Sequence, residues 1–303
     1  MSAQRTSILD PTVLEKLSGL TLVARTVVEG FMAGQHRSPH RGSSVEFAQH
    51  RPYAPGDELR NIDWRVFARS DRLVVKEYIV ETNLSCHLLL DASESMAYGS
   101  LDWSKFDYAR WCAASLAHLI LSQRDTAGLI VFDEEHRTKV PPANGAPQER
   151  AILETLKSAK PGGPTGIGRA LSLLAPRLSQ RGIVMIFSDF FDDLGEIQSG
   201  IERLVHGGHE PILLQILDPQ ETQFNFDALV KLEGLESTGN HKIDPKTIRD
   251  AYLEEVGKHN DALGQIARRL SVDCVPVSTA DSLDAVLSAY LTRRMSRARG
   301  GKA

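Results

Sequence analysis

From Leu84 onward, the sequence alternates apolar strand-like segments with amphipathic helix-like segments. The strand candidates, among them LSCHLLL, TAGLIVF and EPILLQIL, are apolar through most of their length. Strands of this kind are buried on both faces, which is typical of a parallel sheet covered by helices. The alternation therefore predicts an α/β fold, with a mostly parallel sheet flanked by helices.

The helices of this region have recognisable starts. Ser104 and Asp107 have the spacing of a capping box at the beginning of SKFDYARWCAASLAHLILSQ, which we predict as a helix. The segments GIVMIFSD and VDCVPV are predicted as further strands and RTKV as a short edge strand. The remaining predicted helices are 147–159, 167–179, 194–205, a long helix from Pro245 to about Leu270, and 281–295.

The N-terminal part has a different character. Residues 11–33 are predicted as a helix, because Asp10 suits its cap and Pro11 its first position. Residues 34–82 are rich in Arg, His, Gly and Pro and contain β-like pieces at SSVEFAQH and RLVVKEYIV. We therefore predict an N-terminal helix plus a small strand-containing extension over 1–83, an α/β domain over 84–295, and a disordered basic tail over 296–303.

Composition limits the classes of function. The formal net charge of -4 gives no whole-chain attraction to nucleic acid or to anionic lipid. The apolar runs are far shorter than the roughly 18 residues of a membrane span, and the N-terminus lacks the apolar core of a signal peptide. The three cysteines form no CxxC pair, which indicates reduced thiols. These features predict a cytoplasmic protein without a membrane span.

Side chains with oxygen atoms follow two of the predicted strands. Asp91, Ser93 and Ser95 come after LSCHLLL, Asp189 ends IVMIFSD, and Thr165 lies in the intervening GGPTGIG turn. Ligands of open α/β sheets gather beyond the carboxyl ends of the strands. Carboxylate and hydroxyl oxygens are hard donors that suit Mg²⁺ or Mn²⁺ and not zinc or copper. The sequence therefore predicts a divalent-cation site, completed by water or an outside carboxylate.

This pattern resembles the metal-ion-dependent adhesion site of von Willebrand factor A domains. D-x-S-x-S follows the first strand, threonine lies in a G-G-x-T turn, and aspartate follows a later strand, so all five positions match. In that family the metal takes a partner's carboxylate as its last ligand. The resemblance implies a von Willebrand factor A-like, Rossmann-like fold and a Mg²⁺ or Mn²⁺ ion whose binding depends on a partner. Taken singly, Asp91 and Ser93 also suit a cap and Asp189 a turn.

The preceding stretch, GSSVEFAQHRPYAPGDELRNIDWRVFARSDRLVVKEY, resembles the signature of a bacterial family labelled domain of unknown function fifty-eight. Its members are A-domain-like proteins usually encoded beside MoxR-type AAA+ ATPases. The resemblance implies a MoxR-type ATPase and an unknown client protein as partners. The signature positions that are candidates for interaction are Arg51, Tyr53, Gly56, Asp57, Arg60, Asp63, Trp64 and Arg69.

The charges of this signature have a physical interpretation of their own. Arg51, Asp57, Arg60, Asp63 and Arg69 are predicted to form a network of ion pairs and hydrogen bonds that docks the extension on the α/β domain. The alternative is a recognition surface for the ATPase or the client. Residues 36–76 hold eight Lys or Arg and five Asp or Glu, and no aromatic ladder accompanies them, which argues against nucleic acid.

The leading hypothesis is a metal-dependent protein-binding adaptor or co-chaperone that works with a MoxR-type ATPase. GGPTGIG lacks the lysine of a P-loop, so we expect no ATP hydrolysis by this chain. One alternative is a Mg²⁺-dependent hydrolase with Asp91 as nucleophile, although Ser93 occupies the position where such an enzyme needs an acid. Another is a structural A-like domain with a vestigial metal site. We find no catalytic constellation and expect no enzyme.

Overall fold

The computed structural model describes residues 24, 28, 46–53, 62–79, 84–133, 136–178, 180–225, 230–233, 240–243 and 245–283. The chain divides into two compact units. The smaller unit is Arg37–Leu84, and the larger unit comprises Met1–His36 together with Ser85–Ala303. The division into 1–83, 84–295 and 296–303 stays a prediction.

The smaller unit contains an antiparallel hairpin. Strand β1 (Glu46–Pro52) pairs with strand β2 (Val74–Ile79), and helix α1 (Trp64–Ser70) lies between them in the chain. Asp63 caps α1, because its carboxylate accepts hydrogen bonds from the backbone N–H groups of Arg65 and Val66 at 3.0 and 3.3 Å. Both strands were predicted from the sequence, but α1 was not.

The larger unit holds the predicted sheet. Its described strands are β3 (Ser85–Asp91), β4 (Thr126–Phe132), β5 (His136–Ala143), β6 (Ile183–Ser188), β7 (Glu210–Leu217), β8 (Val230–Glu233), β9 (Asn240–Ile243) and β10 (Asp273–Ser278). Strands β8 and β9 form a separate antiparallel hairpin, which was not predicted. The other six form one sheet in the order β10-β7-β6-β3-β4-β5, in which only the edge strand β5 is antiparallel. The prediction of a mostly parallel sheet is confirmed.

Helices alternate with these strands. The described helices of the larger unit are α2 (Lys105–Ser122), α3 (Ala146–Ser158), α4 (Ile167–Leu174), α5 (Leu194–His206), α6 (Pro219–Gln223) and α7 (Pro245–Arg269). Within the described part of the chain, none of them is both long and apolar enough to cross a membrane.

Three of the predicted helices end early or lie partly outside the described residues. The helix predicted over 167–179 ends at Leu174 and continues as a 3₁₀ turn over Ala175–Arg177. Pro176 accounts for this end, because proline has no N–H to donate and its ring clashes with the preceding turn of an α-helix. Of the helix predicted over 11–33, the structure describes Ala24 and Val28, which are helical and buried. The helix predicted over 281–295 lies largely outside the described residues.

The core forms where the central strands lie between helices. Strands β3 and β6 are buried along their whole length, which explains why their sequences are mostly apolar. The predicted capping box begins α2, since Ser104 Oγ accepts from Asp107 N and Asp107 Oδ2 accepts from Ser104 N, both at 3.1 Å. This cap makes Lys105 the first residue of the helix, beside the carboxyl ends of the strands.

Candidate metal centre

The centre is built on the carboxyl ends of the neighbouring strands β3 and β6. Asp91 ends β3, and Ser188 ends β6. Asp91 Oδ2 accepts a hydrogen bond from Ser188 Oγ at 2.6 Å, and Asp91 Oδ1 accepts one from the backbone N–H of Ser93 at 2.8 Å. All three residues are buried. Two short hydrogen bonds therefore fix the orientation of the Asp91 carboxylate.

Backbone hydrogen bonds hold the GGPT turn against the segment that follows β3. Glu94 N donates to the carbonyl of Gly163, and Gly162 N donates to the carbonyl of Ala92, both at 2.9 Å. Gly162 and Gly163 have φ angles of 149° and 92°, a range that favours glycine because it has no Cβ. The two glycines therefore allow the turn that brings a residue far along the chain next to the D-x-S-x-S segment.

The hydroxyl groups of Ser93, Ser95 and Thr165 converge on one another. Ser93 Oγ and Ser95 Oγ are 3.1 Å apart, and Thr165 Oγ1 is 3.5 Å from Ser95 Oγ. In an octahedron with Mg–O distances of about 2.1 Å, adjacent ligand oxygens are about 3 Å apart. Ser93 is buried, whereas Ser95 and Thr165 are half-buried. The hydroxyl oxygens thus have a spacing that suits a small cation, on the side of the centre that is open to solvent.

Asp189 is bonded to a buried lysine. Asp189 Oδ2 accepts from Lys105 Nζ at 2.8 Å, and Lys105 Nζ also donates to Glu221 Oε1 at 2.5 Å. Asp189 Oδ1 accepts from the backbone N–H of Phe191 at 3.2 Å. The side chains of Lys105 and Asp189 are only 1% and 0% exposed. The ammonium group of Lys105 therefore lies beside the carboxylate that sequence analysis assigned to the metal.

The electrostatics of the centre follow from burial and from these neighbours. Burial, and then the nearby charge of Asp189, raise the pKa of Asp91 to about 6. Burial alone would lower the pKa of Lys105, but Asp189 and Glu221 outweigh it and raise that pKa. Burial raises the pKa of Glu221, against the opposing effect of Lys105. The centre thus brings together three carboxyl groups, those of Asp91, Asp189 and Glu221, and the single ammonium group of Lys105.

The side chains at the centre fit a divalent cation. In the described part of the chain, no group of three or more His, Cys, Asp or Glu residues is placed to hold a metal. The candidate ligand set instead combines two carboxylates with three hydroxyls, and these hard oxygen donors suit Mg²⁺ or Mn²⁺. A divalent cation would add positive charge beside these two carboxylates. Asp91, Ser93, Ser95, Thr165 and Asp189 would hold the cation, and it would supply a Lewis acid for an outside carboxylate.

The backbone beside the centre is strained. Phe190 has a φ angle of 59°, which is unusual for a bulky residue, and its side chain is fully buried. The surroundings hold this conformation, because Phe190 N donates to Ser188 Oγ at 3.0 Å and its carbonyl is 2.8 Å from His259 Nε2. Such a conformation costs about 1–3 kcal/mol and is concentrated at functional sites.

Four residues at or beside the centre were not predicted from the sequence. They are Lys105, Ser188, Asp218 and Glu221. Asp218 and Glu221 form a second capping box at the start of α6, and Asp218 Oδ2 accepts from the backbone N–H of Ser100 at 2.8 Å. The sequence DPQE contains the signal for this box, with an acidic cap, proline at the first helical position and glutamate two residues later. No local pattern marks Lys105, because its partners are distant in the chain.

The signature residues of the smaller unit have varied surroundings. Asp63 caps α1, whereas Trp64 and Arg69 are exposed and Tyr53 is half-buried. The backbone N–H of Tyr53 donates to the carbonyl of Leu73 at 3.0 Å. The side chain of Arg51 and all of Gly56, Asp57 and Arg60 lie outside the described residues. The proposed ion-pair network therefore stays a prediction.

Two solved structures illustrate what the chain is similar to. The conserved hypothetical protein BatB from Bacteroides thetaiotaomicron is 16% identical, with a TM-score of 0.48 over 70% of this chain and 99% of that chain. The SpRpn10 VWA domain is 10% identical, with a TM-score of 0.41 over 67% of this chain and 93% of that chain.

Sequence comparison identifies a family. Uncharacterized proteins of Mycobacterium tuberculosis and Mycobacterium bovis are 27% identical over 273 residues, which cover 88% of this chain and 85% of each relative. The model of the family described as "Protein of unknown function DUF58" matches residues 49–262, more than half of the chain. The chain therefore belongs to that family.

Proposed function

We propose that the chain is a protein-binding adaptor that holds a divalent cation with Asp91, Ser93, Ser95, Thr165 and Asp189. The cation, Mg²⁺ or Mn²⁺, would take a carboxylate of the partner as its last ligand. The convergence of three hydroxyl oxygens beside Asp91, with separations of 3.1 and 3.5 Å, supports this proposal most strongly.

The burial of the ligand set supports a partner that approaches from one side. Asp91, Ser93 and Asp189 are buried, whereas Ser95 and Thr165 are half-buried. A cation in this position would be shielded by the sheet and open on the side of the hydroxyl groups. Mg²⁺ gives up its water reluctantly, so a partner carboxylate would contribute to its binding.

We propose a MoxR-type AAA+ ATPase as one partner and an unknown client protein as the other, so that the chain acts as a co-chaperone. The proposal of the ATPase rests on the family signature and on the gene neighbourhood that the resemblance implies. It assigns no ATP hydrolysis to this chain. Whichever of these two partners supplies the carboxylate would be the one that binds at the metal centre.

A binding assay with a purified MoxR-type ATPase of the same genome tests the proposal. We expect complex formation in Mg²⁺ that is lost on chelation and is weakened at least about tenfold by Ser95→Ala, because a cation ligand is removed. Ser199→Ala is the matched control, since its hydroxyl donates to the carbonyl of Gly195 on the exposed face of α5. Equal binding by wild type and Ser95→Ala, with or without chelator, would contradict a metal-dependent contact.

One observation favours a second candidate, in which the chain is a structural domain with a vestigial metal centre. Lys105 Nζ already neutralises Asp189 at 2.8 Å. An internal ammonium of this kind lowers the need for a metal and repels one by its charge. Failure of Mg²⁺ and Mn²⁺ to bind at millimolar concentration, with and without the ATPase, would favour this candidate over the adaptor.

A hydrolase that uses Asp91 as nucleophile has less support. Ser93 lies where the general acid of such an enzyme would stand, and its side chain is fully buried. We therefore propose that the chain is not an enzyme. Mg²⁺-dependent turnover of phosphate esters that Asp91→Asn abolishes would overturn this part of the proposal.

A further inference from the structure

An exposed tryptophan lies in the smaller unit. The side chain of Trp64, the first residue of α1, is 58% exposed, and that of Leu73, three residues after the helix ends, is 41% exposed. Helix α1 contains Trp64, Val66, Phe67 and Ala68, yet none of its residues is buried. Large apolar side chains that are grouped and exposed mark interaction sites more often than isolated ones do.

The segment 62–75, which contains α1, is fixed at both ends. Ile62 forms a bridge with Val75, and Asp63 N donates to the carbonyl of Val74 at 2.9 Å. The Asp63 cap fixes the first turn of α1, and Asp71 ends the helix in the left-handed conformation with φ 55°. The ring of Phe67 packs edge-on against that of Trp64, with centroids 6.1 Å apart. The tryptophan is therefore presented in an ordered conformation, which lowers the entropy lost on binding.

Two arginines share the exposed face of α1 with Trp64. Arg65 and Arg69 are four residues apart and share one face of α1, and Arg72 follows the helix. All three are exposed, and none forms an ion pair with another described residue. The only exposed acid between Trp64 and Leu73 is Asp71, so the patch is positive although the whole chain has a net charge of -4.

We infer that Trp64, Arg65 and Arg69, on the exposed face of α1, form a docking surface for an acidic protein segment that carries an apolar side chain. Tryptophan and arginine are the residue types that most often dominate the free energy of protein interfaces. Trp64 would contact the partner's apolar side chain, and the arginines would pair with its carboxylates. This surface requires no metal and does not depend on the adaptor proposal.

Fluorescence anisotropy with two labelled peptides tests the inference. One peptide is built of glutamate with phenylalanine and leucine, and its matched control has glutamine in place of every glutamate. We expect the acidic peptide to bind the full chain and Trp64→Ala to weaken it at least about tenfold. Arg65→Gln with Arg69→Gln should also weaken binding and reduce its dependence on salt, because two screened charge pairs are lost.

Two substitutions in the larger unit serve as controls. Leu173→Ala removes an apolar side chain that is 43% exposed, and Arg177→Gln removes an exposed arginine. Both should leave peptide binding unchanged. Circular dichroism should show that Trp64→Ala folds, since α1 buries no residue.

Several results would overturn the inference. They are the absence of binding by the acidic peptide, equal binding of the glutamine peptide, and binding that Trp64→Ala does not alter. A single-stranded oligonucleotide that binds more tightly than the acidic peptide would indicate nucleic acid instead. Self-association in sedimentation that Trp64→Ala abolishes would indicate a second copy of the chain as the occupant.

Discussion

At the carboxyl end of the central sheet, buried polar groups are bonded to one another, whereas at the amino end several of them are not. Asp91, Ser188, Asp189 and Lys105 form hydrogen bonds of 2.6–2.8 Å at the first end. At the other end, Ser85 Oγ and His209 Nδ1 are buried and have no hydrogen-bond partner among the described residues. The same strands, β3 and β6, connect the two ends.

Two neighbouring histidines are buried at the amino end. His87 is 3% exposed and its Nε2 is 2.9 Å from the carbonyl of Gln180, while its ring packs edge-on against that of His209 at 5.9 Å. Burial lowers the pKa of both histidines. The carboxyl end instead concentrates charged side chains and a residue with a strained backbone conformation. The adaptor proposal would explain this difference, because it assigns the charges at the carboxyl end to binding.

The largest effect is expected at the carboxyl end, from Lys105→Met. The substitution leaves Asp189 and Glu221 without their ammonium partner, and breaking a buried ion pair typically costs about 3–5 kcal/mol. We expect a loss of that order in the free energy of unfolding, measured with urea in the presence of chelator. Mg²⁺ should recover part of the loss, because it adds positive charge beside Asp189.

The control for this prediction is Lys258→Met. Lys258 pairs with Glu254 and Glu255 at 2.8 Å on the solvent side of α7, and its side chain is 60% exposed. Its loss should leave the urea midpoint unchanged. If Lys105→Met and Lys258→Met were equally stable, the buried ion pair would not hold the carboxyl end together.

A smaller effect is expected when one serine is substituted at each end of the central sheet. Ser188→Ala removes the donor to Asp91 Oδ2 and the acceptor of Phe190 N, and should cost about 1.5–3 kcal/mol, as for hydrogen bonds to charged groups. Ser85→Ala removes a buried hydroxyl without a described partner and should leave stability unchanged or raise it slightly. Urea unfolding at neutral pH measures both. Equal losses for the two variants would remove the distinction between the ends.

The smallest effect is a pH dependence from the amino end. Burial is the main cause of the lowered pKa of His87, and His209 and Lys139 lower it further. The hydrogen bond with the Gln180 carbonyl opposes this shift. Burial and then the charge of Arg181 lower the pKa of His209. A histidine whose folded pKa lies below the unfolded value of 6.5 stabilises the fold above that pH. Its contribution is lost as the pH falls below 6.5 and through the folded pKa.

We therefore expect acidification below pH 6.5 to lower the urea midpoint of wild type relative to that of His87→Gln, which cannot take up a proton. His206→Gln, on the exposed end of α5, should follow wild type. A midpoint of His87→Gln that falls as steeply as that of wild type would show that this histidine does not govern the acid response.

The sequence predicted the parts of the fold in which local pattern and burial agree. β4 and β7 have the predicted bounds, since strands covered on both faces are apolar through most of their length. The sequence did not predict α1, because the helix buries none of its residues and therefore has no apolar stripe. The hairpin of β8 and β9 was missed because its strands have four residues each.

The part of the candidate site that was predicted consists of residues in local sequence motifs. Asp91, Ser93, Ser95, Thr165 and Asp189 belong to motifs that lie at strand ends and turns, and topology brings such positions to one edge. Lys105 belongs to no motif, and its contact with Asp189 joins residues 84 positions apart. Only the packing of α2 across the end of β6 reveals that a buried ammonium lies at the centre.

Calorimetric titration of Mg²⁺ into wild type and Thr165→Val tests the central claim most directly. Valine preserves the shape of threonine and removes only its hydroxyl, one of the proposed ligands. We predict a single site per chain in wild type and at least about tenfold weaker binding in Thr165→Val. Absence of binding by wild type at millimolar Mg²⁺, or equal affinity of the two proteins, would contradict a metal centre at the carboxyl end of the sheet.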